Sequence, residues 1–371
     1  MFTSIRQEEV GLMLKQLFQN CNGKSVKVEL KSKFAELSFN IMMRMIAGKR
    51  YYGEGAVDEE ARQFRDIMKE VVELHGNSNL GDYLPVFRWV DIQGVEKRMV
   101  RLMKKMDKFF QFLVDDCRRR RSVSTLSSDL SSESNKEGKK TLIDVMLSLQ
   151  DKEPGMHSDE TIKGAIMALL IAGTESSTAT MEWAMSLILN HQEVMNKALA
   201  EIDAHVGQDH LLDEQDLPKL NYLHNIINET LRLFPPVPLL VPHESSDNSI
   251  VCEFEIPRGT MLLVNLWTIH RDPELWVDST KFMPERFQGG EGEGYKLIPF
   301  GVGRRACPGA SLGRRVIALT LGTLIQSFEW ERVGKEEIDM TEGSGLSMPK
   351  AKPLEALCKP RLAITDLLSK V

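Results

Sequence analysis

The residue best placed to do chemistry is Cys307, in a loop rich in glycine and proline. The loop reads PFGVGRRACPG over 299–309, and apolar residues at helical spacing follow over 310–328. Cys307 is therefore expected just before a helix N-terminus, where backbone N–H groups and the helix dipole stabilise a thiolate. Arg304 and Arg305 add positive charge that suits an anionic group of a ligand. The alternative is a buried structural cysteine, which is the commoner situation for a lone cysteine.

A second pattern lies in the middle of a helix predicted over 158–190, far longer than the usual length of about 11–12 residues. Its centre reads AGTESS over 172–177. Gly173 costs about 1 kcal/mol relative to alanine there, and the hydroxyl residues after it compete for backbone hydrogen bonds. Such a weak centre is expected where a ligand presses against backbone. A close-packing glycine on a polar helix face explains the pattern equally well.

A third pattern is the pair Glu229 and Arg232, three residues apart in a helix predicted to follow Asp216-Leu217-Pro218. Residues at this spacing share one helix face and can contact each other. Taken alone, such a pair is most often a surface ion pair. Farther along, the segment Pro284-Glu285-Arg286-Phe287 precedes the cysteine loop.

The spacing F-x-x-G-x-R-x-C-x-G over 300–309 resembles the heme-binding loop of cytochromes P450. The resemblance implies heme b as the cofactor, with the Cys307 thiolate as the axial ligand of its iron. Arg305 and His243 match positions that commonly donate to a heme propionate. The implied cofactor-binding residues are Cys307, Arg305, His243, Phe300, Gly301, Gly303 and Gly309.

The AGTESS segment resembles the distal-helix motif of the same family. There the glycine makes room for dioxygen and an acid–alcohol pair relays protons to it, which implies catalytic roles for Gly173, Glu175 and Ser176. Proton delivery inside an apolar pocket needs groups within one hydrogen bond or one water. Ser176 keeps the hydroxyl of the commoner threonine but lacks the β-branch that fixes its rotamer. The implied substrate pocket includes Ala172, Val237, Leu240 and Leu346.

The family resemblance also implies the fold and its locking residues. Glu229, Arg232 and Arg286 match three residues that lock the heme-side loop in the family. The expected fold is mainly α with small β-sheets, in one catalytic domain over 1–371. The chain begins about where the family's helices follow its first sheet strands, so the membrane anchor and the first part of the domain are expected to be missing.

Several segments carry predictions from composition and pattern alone. Strand-like pieces are predicted over 250–256 and 260–266, with an extended apolar run over 237–241. Segment 118–140 has four arginines and then a serine-rich stretch, which predicts a flexible surface loop. The stretch 164–174 is uncharged but shorter than the ~18–20 residues that a membrane span needs.

The overall composition is that of an ordinary soluble globular chain, with 371 residues, 42% of them hydrophobic. A formal net charge of −6 argues against general nucleic-acid binding. The five scattered cysteines suggest neither a disulfide framework nor a zinc site, and they fit a reducing compartment.

The runs over 258–272 and 47–53 look most like the CYP81 group of plant microsomal cytochromes P450. The resemblance implies a monooxygenase that inserts one oxygen atom of O2 into a small hydrophobic, phenolic or isoflavonoid-like metabolite. Electrons would come from NADPH through a separate reductase, at the cytosolic face of the endoplasmic reticulum membrane.

Two alternatives stay open from the sequence. One is an inactive or non-catalytic heme-binding fragment, because the family's W-x-x-x-R helix is not found in this sequence. The other is an O2-independent member of the family that rearranges peroxides, a class that often lacks the acid–alcohol pair.

Overall fold

A computed structural model of the chain describes residues 2–370 except 54–55, 57, 75–83, 85–86, 88–92, 129–139, 290–293 and 346, and only the backbone of 124–128. The fold is mainly α with small antiparallel sheets, which confirms the predicted fold class. The helices are α1 (Thr3–Cys21), α2 (Leu30–Ala47), α3 (Glu59–Leu74), α4 (Val95–Ser128), α5 (Leu142–Lys152), α6 (Asp159–Asn190), α7 (Gln192–His205), α8 (Asn221–Leu233), α9 (Leu266–Ile269), α10 (Ala310–Ser327) and α11 (Thr365–Leu368).

The strands are short and all of their pairings are antiparallel. They are β1 (Val26–Glu29), β2 (His243–Glu244), β3 (Ser249–Val251), β4 (Phe254–Ile256), β5 (Met261–Leu262), β6 (Phe328–Arg332) and β7 (Glu355–Pro360). Single 3₁₀ turns cover Leu217–Lys219, Pro284–Phe287, Gly303–Arg305 and Leu362–Ile364. In the part of the chain that the structure describes, no helix is long and apolar enough to cross a membrane.

The chain forms two compact units. The first comprises Met1–Glu9 and Ala35–Glu175, and the second comprises Val10–Phe34 and Ser176–Val371. Our expectation of one catalytic domain over 1–371 stays a prediction, because compactness alone does not define the extent of a functional domain.

An aromatic cluster fills the core of the first unit. The Tyr51 ring stacks on Phe64 with centroids 4.5 Å apart, and Phe64 lies 5.8 Å from Phe109. Phe64 belongs to the buried stripe of α3, which has the helical period expected of a one-sided amphipathic helix. The Tyr51 hydroxyl hydrogen-bonds to Glu60, which also accepts from Lys49 at 2.9 Å. A satisfied polar group therefore closes the edge of this apolar cluster.

The arginine run is helical in the structure, so the predicted 118–140 loop is wrong over 118–128. Arg118 donates to Asp159 at 2.9 Å, and Arg121 pairs with Asp151 at the same distance. Arg119 pairs with Asp116 within the helix at 3.0 Å. These carboxylates balance the positive charges of the arginines. The segment therefore forms a helix, whereas its composition alone predicted a solvated loop. Residues 129–139 lie outside the described residues.

A three-stranded sheet of order β1-β7-β6 joins both ends of the chain in the second unit. Val26 pairs with Cys358, and Trp330 pairs with Cys358 from the other side. The strand β1 was not predicted, and α2 begins directly after it at Leu30. Local sequence could not reveal β1, because its partner strand lies more than 300 residues away along the chain.

The predicted strand over 250–256 is a hairpin of β3 and β4. Cys252 and Glu253 form its turn with φ values of 46° and 71°, a region that few non-glycine residues adopt. The β-rich stretch predicted over 260–266 contains only the short strand β5. Asn265 ends it by capping α9, since its side chain accepts a hydrogen bond from the Thr268 N–H at 3.1 Å.

The apolar run over 237–241 is also not an extended strand. Leu240 N–H donates to the Val237 carbonyl at 3.1 Å, and Leu240 has a φ of 53°. Residues 237–240 therefore form a tight turn, which the prolines at 236 and 238 favour. The prediction of a long helix over 158–190 is confirmed, because α6 is continuous across Gly173 from Asp159 to Asn190.

Trp183 of α6 anchors the segment before β7. Its ring is fully buried and stacks on Phe234 with centroids 3.9 Å apart. Its Nε1–H donates to the Met348 carbonyl at 2.8 Å, and the Lys350 ammonium lies 4.7 Å from the ring centroid. The neighbouring Glu182 carboxylate accepts from the Leu354 N–H at 2.9 Å. One turn of α6 therefore fixes residues 348–354 against the helix.

We expect Trp183→Phe to lower the free energy of unfolding by about 1–2 kcal/mol, because the Met348 carbonyl loses its buried donor while the ring stacking remains. Urea unfolding followed by far-UV circular dichroism measures the change. Val277→Ala is the control, since Val277 is 81% exposed and its truncation is expected within about 0.5 kcal/mol. Equal unfolding midpoints for Trp183→Phe and the wild type would contradict the anchoring role.

Candidate active site

The loop around Cys307 is held by its own backbone hydrogen bonds. The Cys307 N–H donates to the Phe300 carbonyl at 2.8 Å, and the Gly301 N–H donates to the Ile298 carbonyl at 3.0 Å. Gly301 and Gly303 have φ values of 68° and 72°, which a side chain would strain. These two glycines are therefore required for the loop to turn back on itself and present Cys307.

Cys307 is exposed and lies just before α10, as the sequence predicts. The alternative of a buried structural cysteine is wrong for this residue. Gly309 caps α10, and a Cβ added there would lie 3.8 Å from the Cys307 sulfur. Val302, in the same loop, is half-exposed. Arg305 is exposed in the same loop.

This donor set fits a heme. An accessible thiol at a helix N-terminus suits a soft iron ligand, and the exposed valine suits an apolar macrocycle. The exposed arginines 304 and 305 suit the negative charge of propionates. A heme held by a cysteine thiolate activates dioxygen, while the protein supplies orientation, protons and exclusion of water.

Arg314 supports the first residue of the loop motif. Its guanidinium carbon lies 5.0 Å from the centroid of the Phe300 ring. Its Nη1 donates to the Asn228 side chain of α8 at 2.6 Å, and burial lowers the pKa of Arg314. The aromatic ring is therefore held between its loop and a buried cation on α10.

The structure brings Glu229, Arg232 and Arg286 into direct contact. The Arg232 Nε and Nη2 donate to the two oxygens of Glu229 at 2.7 and 2.8 Å. The Arg286 Nε donates to the same carboxylate at 3.0 Å, and so does the Met283 N–H at 2.9 Å. The side chains of Glu229 and Arg232 are 0% exposed, so the surface-pair interpretation is excluded.

The remaining donors of Arg232 tie two backbone segments, at residue 270 and at residues 279–281, to this cluster. Its Nη1 donates to the His270 and Ser279 carbonyls, each at 2.6 Å, and its Nη2 donates to the Lys281 carbonyl at 3.1 Å. All donors that face the interior are satisfied, as a buried guanidinium requires.

His243 and the pocket residues after α8 occupy an exposed part of the second unit. His243 lies in β2, where its backbone pairs with Leu262 of β5, and its side chain is exposed. Val237 and Leu240 are half-buried in the turn that follows α8. Leu346 lies outside the described residues, so its pocket role stays a prediction.

The AGTESS segment lies in the middle of α6. Ala172 is exposed and Glu175 and Ser176 are half-buried. A Cβ added to Gly173 would approach the Met42 Sδ and Cε to 3.0 Å, so the close-packing explanation applies to this glycine. Thr174 turns inward and donates to the Leu170 carbonyl at 2.7 Å.

One face of α6 in the first unit is built from small or exposed residues. Gly164, Ala168 and Ala172 recur every four residues, and all three are exposed. This spacing places them on one side of the helix, next to the positions of Glu175 and Ser176. An exposed face of small residues beside an acid and an alcohol suits close approach of a ligand.

The predicted site residues thus fall into two groups. The cysteine loop, the Glu229 cluster and His243 belong to the second unit, while Gly173 and Glu175 belong to the first. Sequence reasoning missed Arg314 and His270, which support the cysteine loop. Arg314 could have been noticed as a cation in the apolar pattern of α10, whereas nothing local marks His270.

The comparisons with known proteins agree with this geometry. The family model described as cytochrome P450 matches residues 1–355. Cytochrome P450 81Q32 of Catharanthus roseus is 52% identical over 100% of this chain and 71% of the relative. The (+)-piperitol/(+)-sesamin synthase CYP81Q2 of Sesamum radiatum is 50% identical over 100% of this chain and 70% of its own. Isoflavone 2'-hydroxylase of Medicago truncatula is 45% identical over 99% of this chain and 71% of its own.

A solved structure of a zebra fish cytochrome P450 with abiraterone superposes with a TM-score of 0.77. It covers 96% of this chain and 77% of the other at 22% identity, and it supports the fold alone. The chain belongs to the cytochrome P450 family. It is a heme monooxygenase, similar to members of the CYP81 group, which confirms the predicted class, enzyme type and cofactor.

We expect Glu229→Gln to destabilise the second unit by about 3–5 kcal/mol, because Arg232 keeps its buried charge and loses the carboxylate that balances it. Thermal unfolding and soluble yield measure the loss. Glu355→Gln is the matched control: it makes the same substitution in an exposed pair with Lys27, worth about 0–1 kcal/mol. A similar effect of the two substitutions would contradict the importance of the buried cluster.

Proposed function

We propose that this enzyme inserts one oxygen atom of O2 into a small hydrophobic, phenolic or isoflavonoid-like plant metabolite. Its electrons come from NADPH through a separate cytochrome P450 reductase. The substrate class is supported by the names of relatives at 45–50% identity, which act on isoflavones or make sesamin. The reductase is supported by the lack of a flavin or dinucleotide-binding fingerprint in the sequence.

The observation that carries the proposal is the exposed Cys307 thiol at the end of an ordered loop. In the proposal, the Cys307 thiolate would hold the heme iron, while Gly301, Gly303 and Gly309 would let the backbone approach the sulfur. Arg305 and His243, both exposed, donate to the heme carboxylates. Phe300 covers the loop beside the sulfur and is itself supported by Arg314.

On α6, Glu175 and Ser176 would deliver protons to the reacting oxygen, while Gly173 packs closely against Met42 beside them. Both side chains are half-buried, so they would be able to exchange protons with water. The substrate pocket includes Ala172, Val237, Leu240 and Leu346. Ala172 belongs to the exposed small-residue face of α6, which admits a flat aromatic ring.

The buried cluster of Glu229, Arg232 and Arg286 fixes the cysteine loop rather than taking part in chemistry. It bonds to the backbone before the loop, and the fully buried side chains of Glu229 and Arg232 offer no polar atom to a substrate. The enzyme works at the cytosolic face of the endoplasmic reticulum membrane, a location supported by its similarity to plant CYP81 relatives.

We expect the reduced, heme-loaded 371-residue chain to give a strongly red-shifted carbon-monoxide Soret band, because a thiolate ligates the iron. The Cys307→Ala variant is expected to lose this band. Cys252→Ala is the matched control, since Cys252 is also an exposed free cysteine but lies in the hairpin turn between β3 and β4. An unchanged band in Cys307→Ala, or its loss in Cys252→Ala, would overturn the ligand assignment. A wild-type chain that takes up no heme would support the inactive-fragment alternative.

A second measurement separates monooxygenation from peroxide rearrangement. We expect Glu175→Gln with Ser176→Ala to lower O2- and NADPH-dependent turnover about 10²-fold or more, because protons no longer reach the reacting oxygen. Product formation with an isoflavone and a plant reductase is followed by chromatography. Glu160→Gln is the control, since Glu160 is exposed in the first turn of the same helix. Unaffected turnover in the double variant would contradict the proton-delivery role, whereas product formed from a peroxide without O2 and NADPH would favour the peroxide-rearranging class.

A further inference from the structure

His270 lies between the buried Glu229 cluster and the cysteine loop. The residue is 0% exposed and directly follows α9. Its backbone N–H donates to the Leu266 carbonyl at 2.9 Å, and its carbonyl accepts from the Arg232 guanidinium at 2.6 Å. Its main chain is therefore fixed on one side by the capped helix and on the other by the buried ion cluster.

The imidazole of His270 reaches the segment that leads into the cysteine loop. Its Nε2 accepts a hydrogen bond from the Ile298 backbone N–H at 3.2 Å. Ile298 precedes the loop, and its carbonyl accepts from the Gly301 N–H at 3.0 Å. The Phe300 carbonyl, in turn, accepts from the Cys307 N–H at 2.8 Å. A series of hydrogen bonds therefore connects Glu229, through Arg232 and His270, to the loop that carries the thiol.

The neutral imidazole of His270 is able to accept the hydrogen bond from the Ile298 N–H. Burial lowers the pKa of His270 to about 4, so the ring is neutral at pH 7. Since Nε2 accepts a hydrogen bond, the ring proton is on Nδ1. The neutral ring presents an acceptor to Ile298, which a protonated imidazole could not do, while its Nδ1 is buried and has no hydrogen-bond partner among the described residues.

We propose that His270 is a positioning residue that holds Ile298, and through it the Cys307 loop, in the register that presents the thiolate to the iron. The inference rests on the proposed role of Cys307 and goes beyond the three residues of the buried cluster. In that cluster Arg232 satisfies the carbonyl of His270, and the His270 side chain carries the constraint onward to the loop.

Two variants of His270 test the hydrogen bond separately from the packing. Glutamine places its amide oxygen about as far from the backbone as Nε2, so His270→Gln keeps an acceptor for Ile298. Asparagine is one methylene shorter, by about 1.5 Å, and cannot reach the same position. Both side chains are neutral amides, so they differ mainly in reach.

The first readout is hydrogen exchange of the Ile298 amide in the 371-residue chain, which requires no heme and no catalysis. We expect exchange about tenfold faster in His270→Asn than in the wild type, and near wild-type exchange in His270→Gln. His224→Leu is the control, because the His224 ring contacts the Leu217 carbonyl instead. Equal protection of Ile298 in His270→Asn and His270→Gln would overturn the proposal.

The second readout is the carbon-monoxide spectrum of the reduced, heme-loaded protein. We expect His270→Asn to convert most of the red-shifted thiolate band to the band of a protonated or displaced cysteine, and His270→Gln to retain most of it. A full thiolate band in His270→Asn overturns the proposal even if its stability is lower. A wild-type protein without the band argues against the proposed function, while the exchange experiment still decides the role of His270.

Discussion

A carboxylate buried beside two guanidinium groups constrains every segment around it, because each remaining donor needs an acceptor of its own. Glu229 balances Arg232 and Arg286, and the remaining N–H groups of Arg232 bind three backbone carbonyls, one at residue 270 and two within residues 279–281. Exchange of one partner for an apolar residue leaves an unpaired charge in the core. The cluster therefore determines the path of the chain between α8 and the cysteine loop. The position of Cys307 depends on that path.

The two groups of predicted site residues are held by different physical means. The cysteine loop is fixed by hydrogen bonds and by glycines at positive φ, so it is prepared before any ligand arrives. The α6 side is a continuous helix whose small residues form an exposed face, with Glu175 half-buried beside it. A rigid ligand loop suits control of the iron, whereas a face of small side chains suits substrates of varied shape.

The sequence predicts the parts of this structure that depend on local spacing. The positions of α6, α8 and α10, the turn residues of the cysteine loop and the proximity of Glu229 and Arg232 all follow from patterns within a few residues. The strand β1 and the reach of His270 to Ile298 do not, because each depends on a partner distant in sequence. The loop prediction for the arginine run was wrong for a related reason. Asp151 and Asp159, which balance Arg121 and Arg118, lie outside the helix that carries the arginines. Composition describes a segment in isolation and misses charges supplied from elsewhere.

The central position of β7 has a consequence for how this protein is made. Both neighbours of the strand, β1 and β6, depend on it for their backbone hydrogen bonds, and β1 leaves the ribosome more than 300 residues earlier. At about 5–20 residues per second, β1 waits on the order of half a minute for its partner. Its unpaired N–H and C=O groups remain open to other strands during that time. The sheet of the second unit therefore cannot be completed until β7 is made, more than 300 residues after β1.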